Sequence, residues 1–254
     1  MSLPARQGFH APGPPGPSPL TRLGWAALVC YFPLLLVMMP VRPPRLDYAG
    51  FDYTGLALRV ALFHGVGCVG SFALLRREGA LAPLAALLAR PWTGLGQALL
   101  GFALLGGVAT ALLRLPAGSL PSWLPALLHP LDLSPLPADP RWPAGPAAVM
   151  RLALLMVGGA AEEWIFRCAL WLRWAGAPPP AGQGGGKKEA GAAAVHGCKL
   201  VAVSAYFAAL HWRQGAAAVL VAFSGSLVLG ALLRWRRNFW LVAGLHALFN
   251  WNAG

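Results

Sequence analysis

The sequence predicts an all-α fold: a polytopic transmembrane helical bundle of about seven spans with its N-terminus in the cytosol. Three observations predict it. Of the 254 residues, 57% are hydrophobic and 11% charged, where soluble domains carry about 25% charged residues. The apolar residues form unbroken runs near the length of roughly 20 residues that crosses a hydrocarbon core of about 30 Å. The basic residues stand in short clusters between those runs, as they do in membrane loops. A mean hydropathy of +0.58 excludes a soluble globular domain. The net charge of +12 is scattered and makes no nucleic-acid surface. The runs do not alternate in polarity, which excludes a β-barrel.

Residues 1–21 are rich in Pro and Gly and form a tail expected to be flexible. The first apolar run, Leu23 to Met39, covers 17 residues. No cleavage site of the Ala-x-Ala kind follows it, so it reads as an uncleaved first span. Further spans are expected at 53–75, 94–113, 147–172, 199–212 (with a possible start near Ala192), 216–233 and 238–252. The runs 80–89 and 120–131 are too short to cross, carry Pro83, Pro121, Pro125 and Pro130, and read as interfacial or re-entrant. The segment 176–197 is Gly-rich and reads as a flexible loop. The chain thus divides into the tail, an N-terminal transmembrane region at 22–144 and a second membrane domain at 145–254.

Orientation follows from the basic residues outside the spans. With the N-terminus in the cytosol, the inner side holds Arg6, Arg22, Arg76, Arg77, Arg90, Arg173, Lys187, Lys188, Lys199, Arg234, Arg236 and Arg237. The outer side holds Arg42, Arg45, Arg114, Arg141 and Arg213. The four cysteines, Cys30, Cys68, Cys168 and Cys198, have no metal or redox spacing and read as small apolar residues of the bundle.

Ionisable groups inside a span are costly and as a rule face the bundle interior, where they mark a site or pathway. Here they are Arg59, His64, Arg151, Glu162, Glu163, Arg167, His211 and His246, joined by the amide of Asn250. Glu162 and Glu163 point about 100° apart on a helix. Glu163 and Arg167, four residues apart, share a face and can pair, which leaves Glu162 free for chemistry. Phe207 and His211 have the same spacing in the fifth span, and His246 and Asn250 in the seventh. With a rise of 1.5 Å per residue, Glu162 lies about 16 Å from the inner end of its span, His211 about 18 Å, and His246 and Asn250 about 12 and 18 Å. One layer can therefore hold all four. The structural alternatives are inter-helix ion pairs and hydrogen bonds. Arg59, His64 and Arg151 read as cavity-lining or snorkelling side chains. Ser226 and Gly230 form a small-xxx-small pair suited to a close helix contact.

Glu162-Glu163-Trp-Ile-Phe-Arg167, Phe207-Ala-Ala-Leu-His211 and His246-Ala-Leu-Phe-Asn250 occur in that order on three apolar runs. This pattern, EExxxR then FxxxH then HxxxN, resembles the CPBP family of intramembrane endopeptidases. That family includes the type II CAAX prenyl endopeptidases, the bacteriocin-processing enzymes and the Abi proteins. The resemblance covers roughly 145–252; the first three spans match in general character. It implies a glutamic protease in which Glu162 acts with His211 to activate water, and His246 and Asn250 stabilise the oxyanion. Glu163 and Arg167 would be structural or substrate-orienting, with Phe207 as the aromatic member of the second motif. The physical chemistry agrees: a buried carboxylate can serve as a base, and donors fixed in a low-dielectric cavity stabilise developing charge.

The resemblance implies no cofactor. Glu with two His is also a zinc-ligand set, but no HExxH is present, and catalytic zinc is the lesser alternative. The implied partners are a protein or peptide substrate at the membrane and the lipid bilayer, with no nucleic acid. Only three of the 20 basic residues are Lys, and Ala, Gly, Pro and Arg abound. That composition suits GC-rich bacterial coding, and with it a place in the bacterial inner membrane. It favours cleavage of a membrane-embedded or C-terminal segment, as by the myxosortase-like members that act on C-terminal sorting signals, over CAAX-type prenyl processing. Two other classes fit the same buried groups: a transporter or proton-relay protein, and an inactive membrane scaffold. Seven spans without an inverted repeat argue against the first, and a complete set of motif residues against the second.

Overall fold

A computed structural model describes residues 18–38, 58, 60–116, 118–128, 146–171 and 186–253. Of the expected tail at 1–21, residues 1–17 lie outside the described residues, as do Arg59 and the part of the expected loop at 176–185, while the tail's last residues, from Pro19, already belong to the first helix. All regular structure among the described residues is helical. Helix α1 is Pro19–Met38. A π-helical turn, Val60–Gly65, leads directly into α2, Val66–Arg77. Then come α3, Leu81–Leu88; α4, Pro91–Leu113; and the short α5, Leu124–Leu128. Helix α6, Pro146–Glu162, continues without a break into a π-helical segment, Glu163–Trp171. Helix α7 is Gly186–Ala209, α8 is Ala216–Arg236 and α9 is Phe239–Ala253.

Among the described residues, three stretches are long and apolar enough to cross a bilayer: Pro19–Val37, Pro91–Leu113 and Ala216–Arg236. Two shorter apolar ones are Ala194–Ala209 and Phe239–Asn250. Helix α4 shows the membrane pattern in its side chains. Gly94, Ala98, Gly106 and Ala109 are buried, while Leu99, Leu100, Leu104, Leu105 and Val108 stand exposed. Small residues inside and large apolar residues outside are what helix packing in lipid favours, because lipid solvates leucine and close backbone approach supplies the attraction.

Two expectations change. The flexible reading of 176–197 fails from Gly186 onward, where α7 has already begun. Its first turns contain Lys187, Lys188, Glu189 and five alanines between 190 and 202, and good helix formers outweigh the scattered glycines. At its other end α7 stops at Ala209, so His211 stands beyond the α-helix, at the entry to a 3₁₀ turn, Trp212–Gln214.

Packing gathers around the π-helical segment. Ile165, Phe166, Cys168, Ala169, Leu170 and Trp171 are all buried. They join Phe32 of α1, Val203 and Phe207 of α7, and Val242 of α9 in one apolar cluster. Helix α9 packs on both α4 and α6, and α8 packs on α7. The Ser226–Gly230 expectation holds. Ser226 Oγ donates to Ser204 Oγ at 2.9 Å across the α7–α8 contact, and a Cβ at Gly230 would collide with the Leu200 side chain.

Candidate active site

Each motif residue is positioned by a local feature of its helix. Glu162 ends α6 and Glu163 opens the π-helical segment. Single π turns inside helices recur at functional sites, because the wider turn re-aims side chains that a regular helix would stagger. Opposite them, α9 carries His246. It begins with an Asn cap: Trp240 and Leu241 N–H donate to Asn238 Oδ1 at 2.9 and 3.2 Å, satisfying two of the first turn's orphan donors. Trp240 Nε1 donates to the Leu88 carbonyl at 2.8 Å and ties the same end to α3. Near the site α6 and α9 come close enough that a Cβ at Gly159 would lie 3.3 Å from Ala247 N and 3.6 Å from His246 Cγ.

The two glutamates take different environments, as the 100° separation predicts. Glu163 is fully buried. Its Oε1 accepts from His246 Nδ1 at 2.7 Å and lies 2.9 Å from Arg167 Nη1. The expected i,i+4 ion pair is therefore present. It is formed without an aligned hydrogen bond, and the Arg167 nitrogens have no hydrogen-bond partner among the described residues. The guanidinium instead lies over the Phe207 ring, 4.5 Å from its centroid. A desolvated cation on an aromatic face is worth about 2 kcal/mol or more. Phe207 also meets the His211 ring at 4.7 Å and the edge of His246 at 6.1 Å. The aromatic residue of the second motif thus touches the other two motifs at once.

Glu162 keeps 18% of its side chain accessible. Its Oε2 lies 3.4 Å from His246 Nε2, so His246 stands between the two carboxylates, held tightly at Nδ1 and loosely at Nε2. Glu162 is not free, as the sequence alone suggested. Its Oε1 lies 2.9 Å from His64 Nε2. His64 is the residue that motif reasoning passed over. It was visible as an ionisable group in a span, but it is 98 positions from its partner, and no short spacing connects them.

His211 lies within coulombic reach of Glu162, with its Nδ1 at 2.9 Å from the Phe207 carbonyl; that bond occupies one ring nitrogen and leaves Nε2 available. Asn250 is half-buried, one turn beyond His246 on α9. The backbone of Arg151 belongs to α6, while Arg59 is outside the described residues. Among the described residues no three His, Cys, Asp or Glu side chains are grouped so as to hold a metal ion.

Chemically the site offers a partly accessible carboxylate between two imidazoles, beside a sealed carboxylate–guanidinium pair. Residues 144–252 match the family model described as Type II CAAX prenyl endopeptidase Rce1-like. The matched stretch takes in Glu162, Glu163, Arg167, Phe207, His211, His246 and Asn250, and leaves out His64. The chain matches no curated protein and no solved structure.

Proposed function

We propose that this chain, whose residues 144–252 match the Rce1-like type II CAAX prenyl endopeptidase family model, is an intramembrane endopeptidase whose base is Glu162. The observation that carries the reading is the contrast between the two adjacent glutamates. Glu163 is sealed against Arg167 and His246, while Glu162 is partly accessible and faces the loosely held nitrogen of His246.

In the proposed reaction Glu162, assisted by His211, takes a proton from a water molecule. The resulting hydroxide attacks the scissile carbonyl carbon, and its π electrons move onto the oxygen. His246 Nε2 and the Asn250 amide donate to that oxyanion. The short bond from His246 Nδ1 to Glu163 fixes the ring for this task, so little reorganisation is needed when charge develops. Glu162 then returns its proton to the leaving amine as the C–N bond breaks, giving a new carboxylate and a new amine. No acyl-enzyme forms, and the proposed step uses no metal. The 3.4 Å separation between His246 Nε2 and Glu162 suits a site without substrate, where catalytic hydrogen bonds are commonly long.

The proposed substrate is a membrane-associated or C-terminal segment of a protein, taken from the bilayer of a bacterial inner membrane. A C-terminal sorting signal is preferred to a prenylated terminus on the compositional grounds given above. The test compares the membrane and secreted proteomes of the source cells carrying wild type, Glu162→Gln or Glu162→Ala, scoring the termini of every protein. A defined set of proteins should keep an uncleaved terminal segment in both variants, with processing slowed by about 10²-fold or more at unchanged protein abundance. Normal processing in Glu162→Gln would remove the glutamic mechanism. No altered terminus in either variant would remove the protease reading itself.

A further inference from the structure

We propose that His64, from the N-terminal half of the chain, is a positioning residue for Glu162. It holds one carboxylate oxygen so that the other faces His246 and the reacting water. The inference rests on the protease reading for its consequence in rate, and on geometry alone for the contact itself.

Three observations support it. The first is the contact: Nε2 of His64 lies 2.9 Å from Glu162 Oε1, with only 14% and 18% of the two side chains accessible. The other ring nitrogen, Nδ1, is buried without a hydrogen-bond partner among the described residues. The described polar contact of the ring is therefore the carboxylate, with Nε2 as the donor. A buried nitrogen with no partner is costly, and an apolar side chain would fill the same space without that cost.

The second is the way the ring is aimed. His64 lies in the π-helical turn Val60–Gly65, which runs directly into α2. The turn is braced from α1: Tyr31 Oη donates to the Leu62 carbonyl at 2.7 Å. Phe63 packs edge-on against the imidazole at 5.1 Å. On the far side the ring meets Gly158, one turn before Glu162, where a Cβ would stand 3.5 Å from His64 Cε1.

The third is that the contact belongs to a docked stripe. His64, Cys68 and Ser71 recur at helical spacing, and each meets the same short stretch of the glutamate helix. Cys68 Sγ lies 3.9 Å from the Ala161 carbonyl, and Trp164 Nε1 donates to Ser71 Oγ at 3.0 Å. Residues 161, 162 and 164 are thus each held by a residue of the π-helical turn or of α2. The stripe fixes the register that places an imidazole on Glu162 Oε1. With that oxygen engaged, Oε2, which lies 3.4 Å from His246 Nε2, is left to take the proton.

The experiment has two readouts. The first needs no substrate. The full chain, with isotope-labelled histidine side-chain nitrogens, is placed in lipid nanodiscs. The His64 signal is identified by its loss in His64→Leu. In wild type it should show a protonated Nε2 and a bare Nδ1, and it should move on Glu162→Gln. A His64 signal unchanged by Glu162→Gln overturns the inference. The second readout follows terminal processing after pulse labelling, on the proteins that distinguish wild type from Glu162→Ala. His64→Leu should slow processing between about 10- and 100-fold, the scale of a misplaced catalytic group. His64→Gln, whose amide can donate from nearly the place of Nε2, should recover most of the loss at equal membrane abundance. His64→Leu on the Glu162→Ala background should add nothing. Wild-type processing in His64→Leu, or no rescue by Gln, overturns the inference while leaving the protease reading intact. If no terminus depends on Glu162, the protease reading fails, and the nitrogen signal still decides whether His64 holds that carboxylate.

Discussion

Glu163 and Arg167 expose 0% and 1% of their side chains, so neither can be understood without the other. A buried pair gains little over apolar residues of the same size, but removing one partner leaves an uncompensated charge and costs about 3–5 kcal/mol. Arg167→Met should therefore lower the thermal unfolding temperature of the detergent-solubilised protein sharply. Glu163→Gln with Arg167→Met should recover part of that loss. If the double variant is no more stable than Arg167→Met, the ion pair does not set the local stability. This pair was legible in the sequence because both partners lie on one helix four residues apart. The same holds for Phe207 with His211, whose rings meet at 4.7 Å. The contact of His64 with Glu162 was not legible. It joins two helices remote in the chain, and spacing rules carry no information across that separation.

Pro33 sits inside α1 and has no N–H, so the carbonyl of Val29, one turn earlier, loses its helical donor. In lipid such a carbonyl must find a partner within the protein. Tyr206 of α7 supplies it, its Oη 2.5 Å from Val29 O, immediately before Phe207 of the second motif. The first helix is thereby tied to the helix that leads to His211. Tyr206→Phe should cost about 1–3 kcal/mol, the penalty for an unsatisfied buried acceptor. Pro33→Ala, which restores the missing N–H, should reduce that penalty when combined with Tyr206→Phe. Equal losses with and without Pro33→Ala, read by thermal unfolding, would show that the freed carbonyl is not the reason for the contact. The sequence displayed Pro33 and Tyr206 separately, and apolar runs located most helices to within a few residues. It misjudged the start of α7, because a Gly-rich composition conceals an Ala-, Lys- and Glu-containing stretch that can extend a helix already anchored by packing. It also placed His211 inside a helix, because hydrophobicity continues through Leu210 while the backbone has already turned.

The catalytic proposal requires α6, α7 and α9 to present their polar groups at one depth, which constrains how the whole chain crosses the bilayer. Helix α8, of 21 residues, is about 32 Å long at 1.5 Å per residue, a full crossing of the hydrocarbon core. It is joined to α7 by the turn around Trp212–Gln214 and to α9 by Arg237 and Asn238 alone. Arg237 has a left-handed backbone with φ of 49° and closes α8 through its N–H to the Leu233 carbonyl. Turns this short favour an up-down-up order for α7, α8 and α9, and predict that the two ends of α8 lie on opposite faces of the membrane. The basic residues at 234–237 predict a cytosolic place for that end, and the prediction is open to a direct test. Gln214 and Arg236 are both exposed; the two exposed native cysteines, Cys30 and Cys198, are changed to alanine for the test, and the less accessible Cys68 and Cys168 are left in place. In intact cells with a permeable outer envelope, a membrane-impermeant thiol reagent should label Gln214→Cys and spare Arg236→Cys until the membrane is opened. Labelling of both would place α8 outside the bilayer core. Labelling of Arg236→Cys alone would invert the orientation, and with it the side from which a substrate segment approaches Glu162.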